Sequence, residues 1–343
     1  AAPLGAALGE SKGLSLSGTP HVPPIRVTIL RMNEVPMASP VISLAPLQGV
    51  TTRVFRNAYA KRFGGVDYAI APYLISVPTP DPRGDHFKEL FPEYNARMPV
   101  VPQILSNDAA GFVATASALE ALGYVEVNWN LGCPYPMVTR KRRGAGLLPH
   151  PDVVRAFLEE ACGRIRLELS IKLRLGLADS AEILGLMPIL NDYPLRSVIL
   201  HPRVGAQLYE GSVDLDAFAA AASLSTRELA YNGDIVDEAS YATIRARFPS
   251  VSEFMLGRGV VSDPFLPARI KGLGLPDDPK ATIKAFHDDV YFSYRETLSG
   301  RTHALDKMKE LWSYLGASFA RSEDGLKEIR KAASFEAYEK AVR

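Results

Sequence analysis

Cys133 lies in Asn130-Leu131-Gly132-Cys133-Pro134, where Gly and Pro flank a thiol. A free thiol, with a pKa near ~8.5, is mostly protonated at neutral pH. It can therefore hand a proton to carbon as a hydride reaches the neighbouring atom. Burial as a small apolar group is the commonest fate of a free cysteine. That fate suits Cys162, inside the amphipathic stretch VVRAFLEEACGRI, better than it suits Cys133. In LSIKLRL, period-two alternation puts Lys172 and Arg174 on one face, opposite Ile171 and Leu173. A lysine held inside a strand is costly unless it meets an anion, and negative charge developing on a cofactor ring would be one. The plainer alternative is a lysine snorkelling to solvent; His201 and Arg203 at the next strand end weigh against it. Asn232-Gly233-Asp234 and Gly257-Arg258-Gly259 are turns whose glycines let backbone approach a phosphate oxygen, with Arg258 adding charge-assisted bonds. Read singly, each is only a tight turn. Arg140-Lys141-Arg142-Arg143 is the densest basic run. A solvated charge run and a grip on a phosphate backbone are equally good readings of it.

These residues share one position in the chain's rhythm. Short β-branched runs alternate with amphipathic stretches from residue 41 onward, the pattern of βαβ units. Strands are predicted near 41–46, 66–71, 99–104, 124–129, 169–174, 196–201, 228–231 and 253–257, with the clearest helices at 107–122, 151–166, 180–192, 214–224 and 237–248. Eight such units fit the roughly 250 residues of a (β/α)8 TIM barrel. An open doubly wound sheet usually carries GxGxxG after its first strand, and here Ala45-Pro46-Leu47-Gln48-Gly49 stands there. Barrel enzymes gather their chemistry at the C-terminal strand ends, with phosphate commonly bound after the last two strands. Ala45-Pro46, Gln103, Asn130 to Cys133, Lys172 with Arg174, His201 with Arg203, and the two glycine turns all fall at such ends. Beyond the Gly-, Pro- and Asp-rich linker 272–279, residues 280–343 read as helices (283–298, 303–320 and 323–342), an all-helical C-terminal domain.

Of the 343 residues, 47% are hydrophobic, enough for a sizeable core and against global disorder. Lys plus Arg is 39 against 38 Asp plus Glu, so any nucleic-acid surface must be a local patch. Two cysteines allow no disulfide framework or CxxC metal pair, and a reduced, cytoplasmic protein without a metal is expected. No apolar run approaches a membrane span. Residues 1–38 lack the features of a secretory signal and are expected to be a disordered or appended extension.

The cysteine segment, followed by Val138, Gly144, Gly146 and Leu147-Leu148, resembles the signature of tRNA-dihydrouridine synthases. The resemblance continues in order through Ala45-Pro46, Gln103, Lys172 to Gly176, His201 with Arg203, Tyr209 with Gly211, Asn232 to Ile235, and Gly257 to Gly259. It implies FMN-dependent, NADPH-driven reduction of the C5–C6 double bond of uridines in tRNA. It implies Cys133 as the general acid at C5. Pro46, Leu47, Gln103 and Lys172 would hold the flavin ring, with His201 nearby, and Asn232, Gly233, Asp234, Gly257 and Arg258 would surround its phosphate. Asn130 would position the uracil; Arg174 and Arg203 would approach tRNA or cofactor, and Arg140 and Arg143 would contact tRNA. It also implies a monomer with a flavin-binding barrel at 39–275 and a tRNA-binding helical domain at 280–343, including Lys327, Arg330 and Lys331. Leu47, Thr52, Ala71-Pro72, Pro202 and Val204 depart from the common pattern, which leaves the modified position open. A flavin barrel acting on a small molecule, as dihydroorotate dehydrogenases do, and a non-catalytic RNA-binding protein are the competing readings.

Overall fold

The computed structural model describes residues 39–316 and 323–342, so the expected extension 1–38 lies outside the described residues. The strands are β1 (Val41–Leu44), β2 (Tyr68–Ile70, continued by Leu74–Ile75), β3 (Val100–Val101, continued by Gln103–Leu105) and β4 (Glu126–Leu131). They continue with β5 (Glu168–Gly176), β6 (Leu195–Val204), β7 (Leu229–Tyr231) and β8 (Glu253–Leu256). Every pairing is parallel. β1 lies between β8 and β2. The first segment of β2 pairs with the first of β3, Ala69 opposite Val100, and the second with the second, Leu74 opposite Ile104, so the cylinder closes. β3 is interrupted at Pro102, which has no amide hydrogen for the ladder; its carbonyl still accepts from Asn128 N at 2.8 Å. The eight-stranded barrel expected from the sequence is the fold.

Alternation along the strands sorts the side chains. Leu169, Ile171 and Leu173 of β5 belong to the main apolar core. On the strands' other face a small cluster, Ala45, Ile70, Ile199, Ala230 and Met255, forms a separate core. A buried polar ladder runs beside it: Gln103 Nε2 donates to Asn128 Oδ1 (2.8 Å), and Asn128 Nδ2 donates to Ser170 Oγ (2.9 Å). Each buried amide thus meets the partner it needs.

The helices between strands are α1 (Arg53–Arg62), α2 (Ala109–Ala121), α3 (Pro136–Thr139), α4 (Pro151–Cys162), α5 (Glu182–Asn191), α6 (Leu215–Leu224) and α7 (Glu238–Arg247). Two short ones follow β8, α8 (Arg258–Ser262) and α9 (Leu266–Ile270). Asp108, Asp214 and Asp237 cap α2, α6 and α7 by accepting from first-turn amides. The chain ends in α10 (Pro279–Thr297), α11 (Arg301–Leu315), α12 (Glu323–Lys331) and α13 (Phe335–Val342). The single helix expected over 323–342 is two, because Ser334 starts a new one, its Oγ accepting from Ala337 N at 3.1 Å. The last residues of the helix expected over 303–320 fall outside the described residues.

These last helices are fastened to the first barrel helix. Phe286 of α10 sits edge-on to Phe55 of α1 and to Phe63, the residue after it, with centroids at 5.4 and 5.3 Å. Tyr294 and Thr52 share a hydrogen bond of 2.8 Å, and Asp289 accepts from Lys61 and Arg62. Lys307 of α11 donates to Gly49 O (2.8 Å), in the turn after β1. Phe286→Ala is expected to cost about 3–5 kcal/mol. Because that ring joins both parts, thermal unfolding followed by circular dichroism should stay a single transition at lower temperature. A separate early helical transition would show that the parts unfold independently.

Candidate active site

A cavity of about 490 Å3 opens at the C-terminal strand ends, within the roughly 300–1,000 Å3 of small-molecule and cofactor sites. Twelve of the residues singled out from the sequence line it: Pro46, Leu47, Asn130, Cys133, Lys172, Arg174, His201, Asn232, Gly233, Asp234, Gly257 and Arg258.

The cysteine loop is held from several sides. Asn130 Oδ1 accepts from both Gly132 N (3.0 Å) and Cys133 N (2.9 Å), and Cys133 O accepts from Ala145 N at 3.0 Å. Gly144 has φ +55°, and a Cβ there would lie 2.6 Å from Cys133 O and 2.9 Å from its Cβ. Only glycine suits that position. Arg174, 2% exposed, donates Nε to Gly132 O and a terminal nitrogen to Val204 O, both at 3.0 Å. The Cys133 thiol donates to Tyr73 Oη across 3.8 Å.

At the β7 and β8 ends, Asn232 Nδ2 donates to Met255 O (2.8 Å), and a Cβ on Gly259 would lie 2.2 Å from Ile235 O. The two turns are therefore packed against each other as one seat. Asp234, at φ +44°, accepts from Arg203 and, at 2.8 Å, from Arg258. Tyr209 lies beneath two guanidinium groups, Arg174 at 5.2 Å and Arg258 at 5.4 Å from its ring centre.

Positive charge dominates this end of the barrel. Burial, then Arg174, brings the Lys172 pKa down to about 7. Its ammonium has no hydrogen-bond partner among the described residues. Burial, then Lys172, Arg174, Arg203 and Arg258, pushes His201 well below the usual imidazole range, so it is neutral at pH 7. Arg203 donates to His201 Nε2 at 3.1 Å, which leaves the ring proton on Nδ1. An aromatic ring carrying a phosphate fits this arrangement. The cavity has the volume, the paired glycine turns offer backbone and Arg258, and Lys172 lacks the anion that would offset its burial.

Four of the singled-out residues stand elsewhere. Gln103 is fully buried in the polar ladder: its Oε1 accepts from Asn130 Nδ2 (2.8 Å) and its Nε2 donates one N–H to Asn128. It supports Asn130 and does not line the cavity wall. Arg203, 2% exposed, spends its guanidinium on Glu210 O, Gly211 O, His201 and Asp234, and braces the turn from behind. Arg140 is exposed on the loop beyond Cys133, and Arg143 donates to Asn107 Oδ1 at 3.0 Å there. Conversely, Tyr73, Tyr135, Glu310 and Tyr314 line the cavity without having been singled out. Tyr73 and Tyr135 directly follow motif positions and were within reach of the sequence; the two α11 residues depend on tertiary docking.

The family model described as dihydrouridine synthase matches residues 43–342. The chain is 26% identical to the tRNA-dihydrouridine(16) synthase of Cupriavidus necator over 298 residues, 84% of this chain and 92% of that protein. It is 27% identical to the enzyme of the same name from Neisseria meningitidis serogroup B, over 88% of this chain and 93% of that protein. It is 24% identical to tRNA-dihydrouridine synthase B of Vibrio vulnificus, over 85% and 88%. Among solved structures it is similar to morphinone reductase, with 13% identity and a TM-score of 0.48 over 71% of this chain and 88% of that one. With the thiol loop, the glycine turns and the match over residues 43–342 in agreement, the chain belongs to the dihydrouridine synthase family.

Proposed function

We propose that this protein reduces the C5–C6 double bond of a uridine in tRNA, at position 16, with FMN in the barrel cavity and NADPH as the reductant. The observation that carries the reading is a thiol at the wall of a cofactor-sized cavity that also holds a cationic, glycine-built phosphate seat. The names of the Cupriavidus and Neisseria relatives support position 16. A cytoplasmic monomer, acting without a metal, belongs to the same proposal.

A bound flavin supplies the hydride for C6. Cys133 supplies the proton for C5 from Sγ, a general-acid role that typically contributes 10²–10⁴-fold in rate. Asn130 fixes the loop that carries the thiol and would face the uracil. Pro46, Leu47 and Lys172 would hold the ring, with the neutral His201 beside it. Asn232, Gly233, Gly257 and Arg258 would hold the phosphate, Asp234 keeping Arg258 in place. A base-modifying enzyme must unstack its target before it can reach the reacting atoms, so the tRNA needs a grip outside the cavity. Residues 39–275 would supply the flavin site. The exposed Arg140, Lys141 and Arg142 beside the mouth and residues 280–343, with exposed Lys327, Arg330 and Lys331, would supply that grip.

Mass-spectrometric mapping of tRNA incubated with the protein, FMN and NADPH should place dihydrouridine at position 16. Cys133→Ala should keep FMN and tRNA binding but lose roughly 10²-fold or more of the reduction. Full turnover by that variant would remove the thiol from the mechanism. Arg140 and Arg143 changed together to Glu should weaken tRNA binding about tenfold or more and flatten its salt dependence. NADPH oxidation without tRNA should continue at the parent rate; loss of both would point to the cofactor instead.

The Lys172 charge gives a pH signature. Its pKa in the free protein is about 7, and a ring acceptor beside it would favour the charged, donating form. Ring binding would therefore take up a proton above that pH, and affinity falls as pH rises. FMN affinity, read by fluorescence quenching, should weaken about tenfold per pH unit just above pH 7.5. Lys172→Met should bind more weakly at pH 6.5 and show no such slope. A parent slope near zero would mean that Lys172 does not face the ring.

A further inference from the structure

We propose that Tyr73 is the positioning residue of the acid: its hydroxyl holds the Cys133 sulfur in place and donates a hydrogen bond to the thiolate left when the proton has gone to C5. This rests on the reading of Cys133 as general acid.

Tyr73 lies in the break between the two segments of β2, in Ala71-Pro72-Tyr73. Ala71 and Pro72 carry no side-chain donor, so Tyr73 is the donor that β2 brings to this sulfur. Its ring packs with Cys133, Leu105 and Val138 in a small cluster apart from the main core. Its hydroxyl lies 3.8 Å from Sγ, within the range of a hydrogen bond to sulfur. The phenol is half-buried, with one side on the thiol and the other toward the cavity mouth.

The groups facing the thiol fix what it can do. Lys172 and Arg174 come from β5 and Tyr209 from the loop after β6; each interacts electrostatically with Cys133. Tyr135 comes from the thiol's own loop and interacts with Tyr73. The two guanidinium donors nearest the loop are engaged, Arg174 on Gly132 O and Val204 O. Tyr73 alone makes a hydrogen bond with the sulfur among the described residues. Burial and the neighbouring sulfur push the phenol pKa up, so Tyr73 remains a proton carrier and does not become a competing anion.

The exchange balances. At rest the S–H donates to Tyr73 Oη. As hydride reaches C6, the S–H bond breaks, the C5–H bond forms and the electron pair stays on sulfur. Tyr73 O–H then turns to donate to that sulfur, until solvent returns one proton. A hydrogen bond to a charged acceptor is stronger than one to a neutral acceptor, so Tyr73 favours the state in which the proton has left.

Tyr73→Phe keeps the packed ring and removes only the hydroxyl. In the FMN-loaded variant, kcat for uridine reduction should fall about tenfold with KM for tRNA unchanged. Iodoacetamide alkylation at pH 8, read peptide by peptide, should slow several-fold at Cys133 and not at Cys162. Parent kcat, or a parent rate of Cys133 alkylation, would each overturn the proposal. Equal slowing at both cysteines would overturn it too, since that reports a general change in accessibility. Alkylation needs no turnover. If the unaltered protein makes no dihydrouridine, the functional reading fails, and the Cys133 contrast still reports whether the contact exists.

Discussion

The constraint that organises this molecule is a concentration of buried positive charge at one end of the barrel. Lys172, Arg174, Arg203 and Arg258 converge on His201, and one carboxylate of the cavity wall, Asp234, answers two of them. Glu310, the other acid there, is paired with Lys307. Buried charges are tolerable only when paired or hydrogen-bonded. The fold meets this with backbone carbonyls: Gly132 O and Val204 O for Arg174, Glu210 O and Gly211 O for Arg203. Those carbonyls belong to the last residue of β6 and to the loops after β4 and β6. The chain therefore shapes its loops around the cations, and the same loops carry the thiol and the wall of the cavity. The uncompensated remainder falls on Lys172 and makes an anion the natural occupant.

Much of this was legible in the sequence because the signals are local. Eight strands followed from β-branched runs, and the barrel followed from their number and from the missing GxGxxG. The two glycine turns could be placed together at one end of the barrel because each directly follows one of the last two strands, and both line the cavity. What the sequence left open was the allocation of partners among polar residues at neighbouring strand ends. Gln103 lies in the buried ladder beneath Asn130, and Arg203 is held by Asp234 and two carbonyls. Period two tells which face a side chain takes, not at what height it stops. The α11 residues at the mouth were illegible for another reason: Glu310 and Tyr314 reach it only because Phe286 and Tyr294 dock α10 on α1.

Near-neutral overall charge and a strongly cationic interior are compatible because the exposed surface is dominated by matched pairs. Arg62 with Asp289, Arg196 with Glu126 and Glu168, and Arg269 with Asp263 and Glu238 are such pairs. Exposed pairs of this kind contribute little stability, about 0–1 kcal/mol each. They offset one another locally, whereas the exposed Arg140, Lys141 and Arg142 beside the mouth form no ion pair among the described residues. For a polyanion, such contrast guides approach more than total charge does.

Arg174 links the two halves of the site. One guanidinium fixes Gly132 O beside the thiol, depresses Lys172 and His201, and lies over the Tyr209 ring that Arg258 also covers. The orientation of the thiol and the electrostatics of the cationic turns are therefore not independent. A change that moves Arg174 must disturb both, whereas Tyr73 meets the sulfur itself, the one hydrogen bond it makes among the described residues. Separating these two approaches to one sulfur distinguishes a residue that builds the loop from one that serves the proton.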